Sequence, residues 1–439
     1  MLSCRMRGLA AAMVGVAVAV AVAACSSASP APSGKVLRIG VDLPLSGPEA
    51  RAATPALNGI RFYVQTHPAI DGFQVVVDAR DDTVHAAADP ERGVSNVNRF
   101  VSDSTVVAMI GPFDGAVARK EIPVANAAGL AMVAPATSNP CLTRDIYLPA
   151  LLNPARADVT CQAAGLPSAS DLRPTRGNNF FRLAATDDLQ GAAAADFAYG
   201  TLHVLRAAVV SDHEAYGQAL AAAFAARFMR SGGSIVDRLD VRPGSSADVA
   251  AFLDRAKADG AAAVYYGGAE PGCAIRAQMS ATFPPGEATP FLGGDGIALD
   301  SGCVAAAGAN VAGIYATVPI VDASSLPSAA ATLRGFHAAF GSTSAYGLYT
   351  LVAYDATAVV YAAIARALRA AGSGLPARSD VVAELAQTAG LEGATGPLGF
   401  DRSGDTTNRH VTIFESPAVG TGSAWKPVGT VDYSARLPY

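Results

Sequence analysis

Short apolar strand segments alternate with amphipathic helical segments along this chain, and the alternation runs through twice. Val36–Leu43, Phe73–Asp78, Val106–Ile110 and Leu130–Val133 read as strands. Helical spacing falls between them at Ala52–Gln65, 89–102 and Val117–Ala128. The strands are near-continuous apolar runs instead of alternating ones, which is the pattern of a parallel sheet covered on both faces. After an interruption the rhythm restarts. Strands at Arg206–Val210, Ser234–Leu239, Ala262–Tyr266 and Pro290–Leu292 alternate with helices at Asp188–His203, Tyr216–Arg230, Ala247–Ala258 and Cys273–Ala281. Beyond a strand within Val311–Val318 come helices at 328–340, 346–371 and 379–389 and closing strands at 397–401, 409–415 and 428–433. The expected fold class is α/β, with two doubly wound Rossmann-like lobes. A 439-residue chain is also longer than one hydrophobic core usually serves.

The interruption, residues 139–178, holds five prolines, Cys141 and Cys161, and shows no clear period. A structureless stretch of that length inside a domain needs a tie. Six cysteines are present, at 4, 25, 141, 161, 273 and 303. With Cys4 in an N-terminal leader and Cys25 set apart as a lipidation site, four remain and three pairings are possible. Cys141–Cys161 and Cys273–Cys303 are favoured because each pair is close in sequence. Zinc is the alternative, but no C-x-x-C or neighbouring histidine pair supports it.

The first residues indicate where such a chain works. Arg5 and Arg7 precede an uncharged run from Leu9 to Ala24, and Val22-Ala-Ala-Cys25 is followed by a Ser/Pro/Ala-rich tether. This resembles a bacterial lipoprotein signal. It implies a signal peptide over 1–24, lipidation at Cys25, a tether over 25–35, and a body on the outer face of the cell membrane. An uncleaved membrane anchor is the alternative. The net charge of −5 gives no footprint for nucleic acid. The chain carries no G-x-S-x-G, H-E-x-x-H or P-loop, and its six histidines are scattered without ligand spacing. Neither an enzyme nor a cofactor or metal is expected.

An ordered series of short motifs runs through the body. It begins Ile39-Gly-Val-Asp-Leu-Pro-Leu-Ser-Gly-Pro48, Leu57-Asn-Gly-Ile60, Asp81-Asp82, Ile110-Gly-Pro112 and Ala134-Pro-Ala-Thr-Ser-Asn-Pro140. It continues with Phe180-Phe-Arg182, Tyr216-Gly217, Val264-Tyr-Tyr-Gly-Gly268, Gly293-Gly-Asp-Gly296 and Ala353-Tyr-Asp-Ala356. It ends in Thr395-Gly-Pro-Leu-Gly-Phe-Asp-Arg-Ser-Gly-Asp405. The series resembles the Leu/Ile/Val-type periplasmic binding proteins, the type I solute-binding subunits of ABC importers.

That resemblance implies a three-strand hinge near 182–187, 316–322 and 393–398. Lobe one would comprise 36–182 plus 320–395, and lobe two 184–318 plus 397–439. It implies a monomer serving ABC permease and ATPase subunits by closing on a small-molecule solute, such as an amino acid or related amine or amide. A sensory receptor using the same cleft, or a cleft that no longer binds small solutes, are the alternatives.

Carried over position by position, the solute carboxylate would meet Thr137, Ser138 and the helix start at 115–117. The family's serine is Gly115 here, beside Asp114. Tyr216 would pack on the solute and Asp295 would pair with its ammonium. Two expected tyrosines are Ala52 and Ala269, the latter followed by Glu270. A roomier, more acidic pocket follows, favouring a cationic or amine-bearing guest.

Overall fold

The computed structural model describes residues 35–241, 246–269, 272–283, 289–299, 301–341, 343–372, 374–416, 425–435 and 437–438. Among these, two large sheets carry the architecture. The first runs in the spatial order Phe180–Arg182, Ala131–Ala134, Val106–Ile110, Lys35–Leu43, Phe73–Asp81, Ala69–Ile70. All its pairings are parallel except the last, a tight antiparallel return.

Helices α1 (Ala50–Thr66), α2 (Pro90–Ser102) and α3 (Gly115–Ala127) follow successive strands. Asp89 starts α2 by accepting the Arg92 amide at 2.6 Å, with Pro90 at the first helical position where no donor is needed. The central strand Val106–Ile110 is buried throughout. Its Val107 and Ile110 join the core under α1, whereas Met109 joins the core shared with α2 and α3. Two-faced burial is why this strand reads as an unbroken apolar run.

The second sheet runs Ser234–Asp240, Arg206–Ser211, Ala263–Gly267, Phe291–Gly293, Ile314–Val318, His410–Glu415, Lys426–Asp432. The first five strands are parallel, and the last two join antiparallel. Helices α4 (Asp187–Asp196) and α5 (Ala215–Arg230) contribute to the core on one face. On the other lie α6 (Ser246–Ala258), α7 (Gly272–Thr282) and the short α8 (Asp295–Leu299) and α9 (Ser301–Ala307).

The chain then returns to the first lobe for α10 (Ala330–Phe340), α11 (Thr350–Ala371) and α12 (Arg378–Ala386). Helix α11 is long and apolar enough to cross a membrane, yet 78% of its apolar window is buried inside the protein, where it packs on α1. Gly59 permits that approach, because a Cβ there would collide with the Thr350 carbonyl oxygen.

The chain therefore passes between the lobes three times: after Arg182, after Val318, and between Leu398 and His410.

Several expected boundaries move. The helix expected over Asp188–His203 is α-helical only to Asp196, and a π-helical turn, Phe197–Thr201, follows. The helix expected from 346 begins at Thr350, whose hydroxyl accepts the Gly347 amide at 2.8 Å and closes a turn first. The Gly293–Gly296 motif ends a strand and launches α8. Residues 139–178 are tied as the cysteines suggested. Cys141 bonds Cys161, and Cys273 bonds Cys303. Closing a loop of 20 residues contributes on the order of 3 kcal/mol. Arg173 adds a second tie, donating to the carbonyls of Leu142 and Ala169 at 2.8 Å each.

Candidate functional site

Asp295 lies just beyond the C-terminal end of a parallel strand of the second sheet, the place where open α/β sheets hold ligands. Asp295 opens α8 directly after the strand Phe291–Gly293 and is 6% exposed. Three donors reach its carboxylate. The Tyr216 hydroxyl on α5 donates to Oδ1 at 2.6 Å, Gln190 Nε2 on α4 donates to Oδ1 at 2.9 Å, and the Tyr349 hydroxyl donates to Oδ2 at 2.7 Å. Tyr349 belongs to the first lobe, packed edge-on against Phe113 with ring centroids 5.3 Å apart. Lobe two's acid is therefore held by lobe one's tyrosine. Burial, and then the negative charge of Asp295, push both tyrosine hydroxyls well above their ordinary pKa, so they stay protonated donors.

The Thr137–Ser138 loop follows the strand Ala131–Ala134 and is held from below. Arg182, with no exposed surface, donates to the carbonyls of Thr137 at 3.3 Å and Asn139 at 2.7 Å, and also to the Thr143 hydroxyl. It ion-pairs with Asp405 at 2.7 Å, and Arg144 approaches the same carboxylate at 3.4 Å. Burial alone would raise Asp405, but the two guanidinium groups outweigh it and hold the carboxyl below its usual range. From the loop, the Ser138 carbonyl accepts the Asp187 amide of lobe two at 2.9 Å.

Asp187 heads α4 beside this loop. Its side chain has no exposed surface, and among the described residues neither carboxylate oxygen has a partner at hydrogen-bonding geometry. Burial, opposed by the nearby Ser138 hydroxyl and reinforced by the Asp295 charge, raises it to about 7. Thr137 Oγ1, Gln190 Oε1 and the Tyr265 hydroxyl are likewise buried without partners. Asp187, Asp295, Gln190, Tyr216, Tyr265 and Tyr349 thus form one buried polar constellation between the lobes.

The other expected site residues fall differently. Asp114 caps α3: its Oδ1 accepts the Ala116 amide at 2.6 Å and the Val117 amide at 3.0 Å. The expectation that these amides face an incoming anion is corrected, since the protein's own carboxylate occupies them. Gly115 has room for a side chain, a Cβ there meeting nothing nearer than 3.9 Å, so only its missing hydroxyl distinguishes it from a serine. Ala269 is exposed, its amide donating to Asp212 at 3.2 Å, and Ala52 is half-buried in the first turn of α1. Glu270 and Cys25 lie outside the described residues.

Sequence reasoning missed Tyr349, Gln190, Asp187 and Tyr265. The pair Asp187-Asp188 after Thr186 carried a helix-start signal. Nothing in the sequence marked Tyr349, whose bond spans 54 residues and two lobes.

Two sheet-bearing lobes that share a buried polar seam across three crossings define a bilobed receptor of the type I periplasmic kind. Residues 36–421 match the periplasmic binding protein family, and this chain belongs to it. A Leu/Ile/Val-binding protein homologue of Brucella melitensis is 29% identical over 86% of this chain and 91% of its own length. Among solved structures, a leucine binding protein of Thermotoga maritima superposes with a TM-score of 0.70 at 23% identity, covering 90% of this chain and 99% of its own. A solute binding protein of Rhodopseudomonas palustris in complex with p-hydroxybenzoic acid gives a TM-score of 0.71 at 17% identity, over 92% and 99%. The last two share the fold.

Proposed function

We propose that this chain is an extracytoplasmic solute-binding lipoprotein that captures a small polar solute, an amino acid or related amine or amide, and delivers it to an ABC permease. The carrying observation is the seam around Asp295, where donors from both lobes meet at the strand ends and several buried polar atoms are left for a guest. A solute touching both lobes stabilises the shut form, and recognition of that form by the permease completes delivery. Lipid at Cys25 would hold the receptor near its permease and raise its effective concentration. No covalent chemistry is required of any residue in the seam. The match to a Leu/Ile/Val-binding homologue along most of the chain supports an amino-acid-like guest.

The test is thermal denaturation of the full mature chain against amino acids, amides, amines and aromatic acids. A binding solute at about 100 times its Kd adds roughly 2.7 kcal/mol, a clear rise in Tm. The rise should vanish in Asp295→Ala. A flat response to every solute class would remove the proposal.

A further inference from the structure

The seam's open hydrogen-bonding positions are weighted towards acceptors. Gln190 Nε2 donates to two acceptors, Asp295 Oδ1 at 2.9 Å and the Thr317 carbonyl at 2.7 Å, so the orientation of its amide is settled and Oε1 is left open. Asp187 lies one turn before Gln190 on α4, on the same face, and adds two open carboxylate oxygens. The Thr137 and Tyr265 hydroxyls serve either way. Among the described residues, Asn139 Nδ2 is a neutral nitrogen donor left open, and its side chain stands next to Gly115 at the start of α3.

At the opposite pole two helix-start amides are already taken. A carboxylate-bearing guest would seek the start of α3, yet Asp114 takes the Ala116 and Val117 amides. Around that helix start stand further acids: burial, and then the charges of Asp42, Glu49 and Asp114, raise Asp82, whose buried carboxylate has no partner among the described residues. Arg119 is the cation beside Gly115, and it lies within the fields of Asp114 and Glu214. Buried acceptors left open cost free energy until a donor arrives, and buried carboxylates call for a cation.

We infer that the guest is a cationic amine that carries no carboxylate, its ammonium donating to Asp187 and Gln190 Oε1 beside Asp295. The inference rests on the solute-capture reading above and narrows its substrate class. An ammonium offers three donors to the open oxygens. A zwitterionic amino acid would place its carboxylate against Asp114, at a helix start with no amides to spare at 116 and 117.

Calorimetric titration of the full mature chain with matched pairs tests this. The pairs are leucine and 3-methylbutylamine, ornithine and putrescine, arginine and agmatine, each differing by one carboxylate. At least one amine should bind about 10-fold or more tightly than its parent, because it keeps the ammonium's partners and sheds the repelled carboxylate. Asp187→Asn, which keeps the volume, should weaken that amine by about 10-fold or more while the variant stays folded. Asp114→Asn with Gly115→Ser keeps a cap but removes the charge and restores a hydroxyl, so the preference should move towards the parent amino acid. If every pair that binds favours the amino acid, or amine binding is unchanged in Asp187→Asn, the inference is overturned and solute capture stands. If neither member of any pair binds and other solutes do, the substrate class is wrong. If no solute of any class binds, capture falls and the inference with it.

Discussion

Asp405 and Asp187 are both buried aspartates, 6% and 0% exposed, and both lie close to where the chain leaves the first lobe. Their surroundings are opposite. Asp405 sits against Arg182 and Arg144 and is held ionised, as part of the cage under the Thr137–Ser138 loop. Asp187 has no cation on its carboxylate and, among the described residues, no partner at hydrogen-bonding geometry; burial drives it upward against the nearby Ser138 hydroxyl. The comparison separates a buried charge that organises the crossing between lobes from one that leaves the seam receptive.

The largest expected effect comes from breaking the satisfied half. Arg182→Met should strand Asp405 and the loop carbonyls and cost about 3–5 kcal/mol in chemical denaturation. A cost below about 1 kcal/mol would show that the cage contributes little.

Acidity probes both halves together. Asp82 rises to about 9, Asp187 to about 7 and Asp42 to about 6, in each case chiefly through burial. These carboxyls bind protons more tightly folded than unfolded. Their contribution is complete below the unfolded pKa near 4 and is lost as pH climbs through 6 to 9. Asp405, depressed, contributes the other way, its stabilisation fading only as pH falls below about 4. The free energy of unfolding should therefore be highest near about pH 4 and lower at pH 9, by at least roughly 3 kcal/mol. A profile that is level or climbing across that interval would mean burial does not dominate these carboxyls.

Asp187→Asn sharpens the contrast at one position. Without ligand it should stabilise the protein by about 1–2 kcal/mol at pH 8 and by nothing at pH 4, because only the charged form is penalised. Equal effects at both pH values would place the cause in packing.

The smallest effect belongs to Tyr349→Phe, which deletes one bond across the lobes. About 1 kcal/mol should be lost from the closed form, a several-fold shift towards open molecules. Small-angle scattering of the ligand-free protein would register it as a larger radius of gyration.

Much of the fold was legible because two-faced burial writes itself into sequence as apolar runs. Val106–Ile110 and Ala263–Gly267 are buried at every position and stand out from their flanks. What was misread has local causes. Gly293-Gly294-Asp295-Gly296 has the composition of a turn, yet Asp295 stands in the first turn of α8, where an acid suits the helix dipole. Placing the third helix at Val117 instead of Gly115 hid Asp114 as its cap, so the residue was read as facing a guest.

The site was legible in part. Motif order located Ser138, Tyr216 and Asp295, and the structure brings Tyr216 to Asp295. Tyr349 and the openness of Asp187 depend on which atoms meet once two lobes have assembled, and no local pattern encodes that. The rule linking buried carboxylates to partners was available beforehand; which ones lack them was not.

The link from the Asp187 amide to the Ser138 carbonyl runs from backbone to backbone. No side-chain replacement short of proline can erase it. The two halves can thus keep their alignment at this point while the surrounding side chains are exchanged wholesale, and a scaffold of this kind can be retuned from one cargo to another without relearning how to shut.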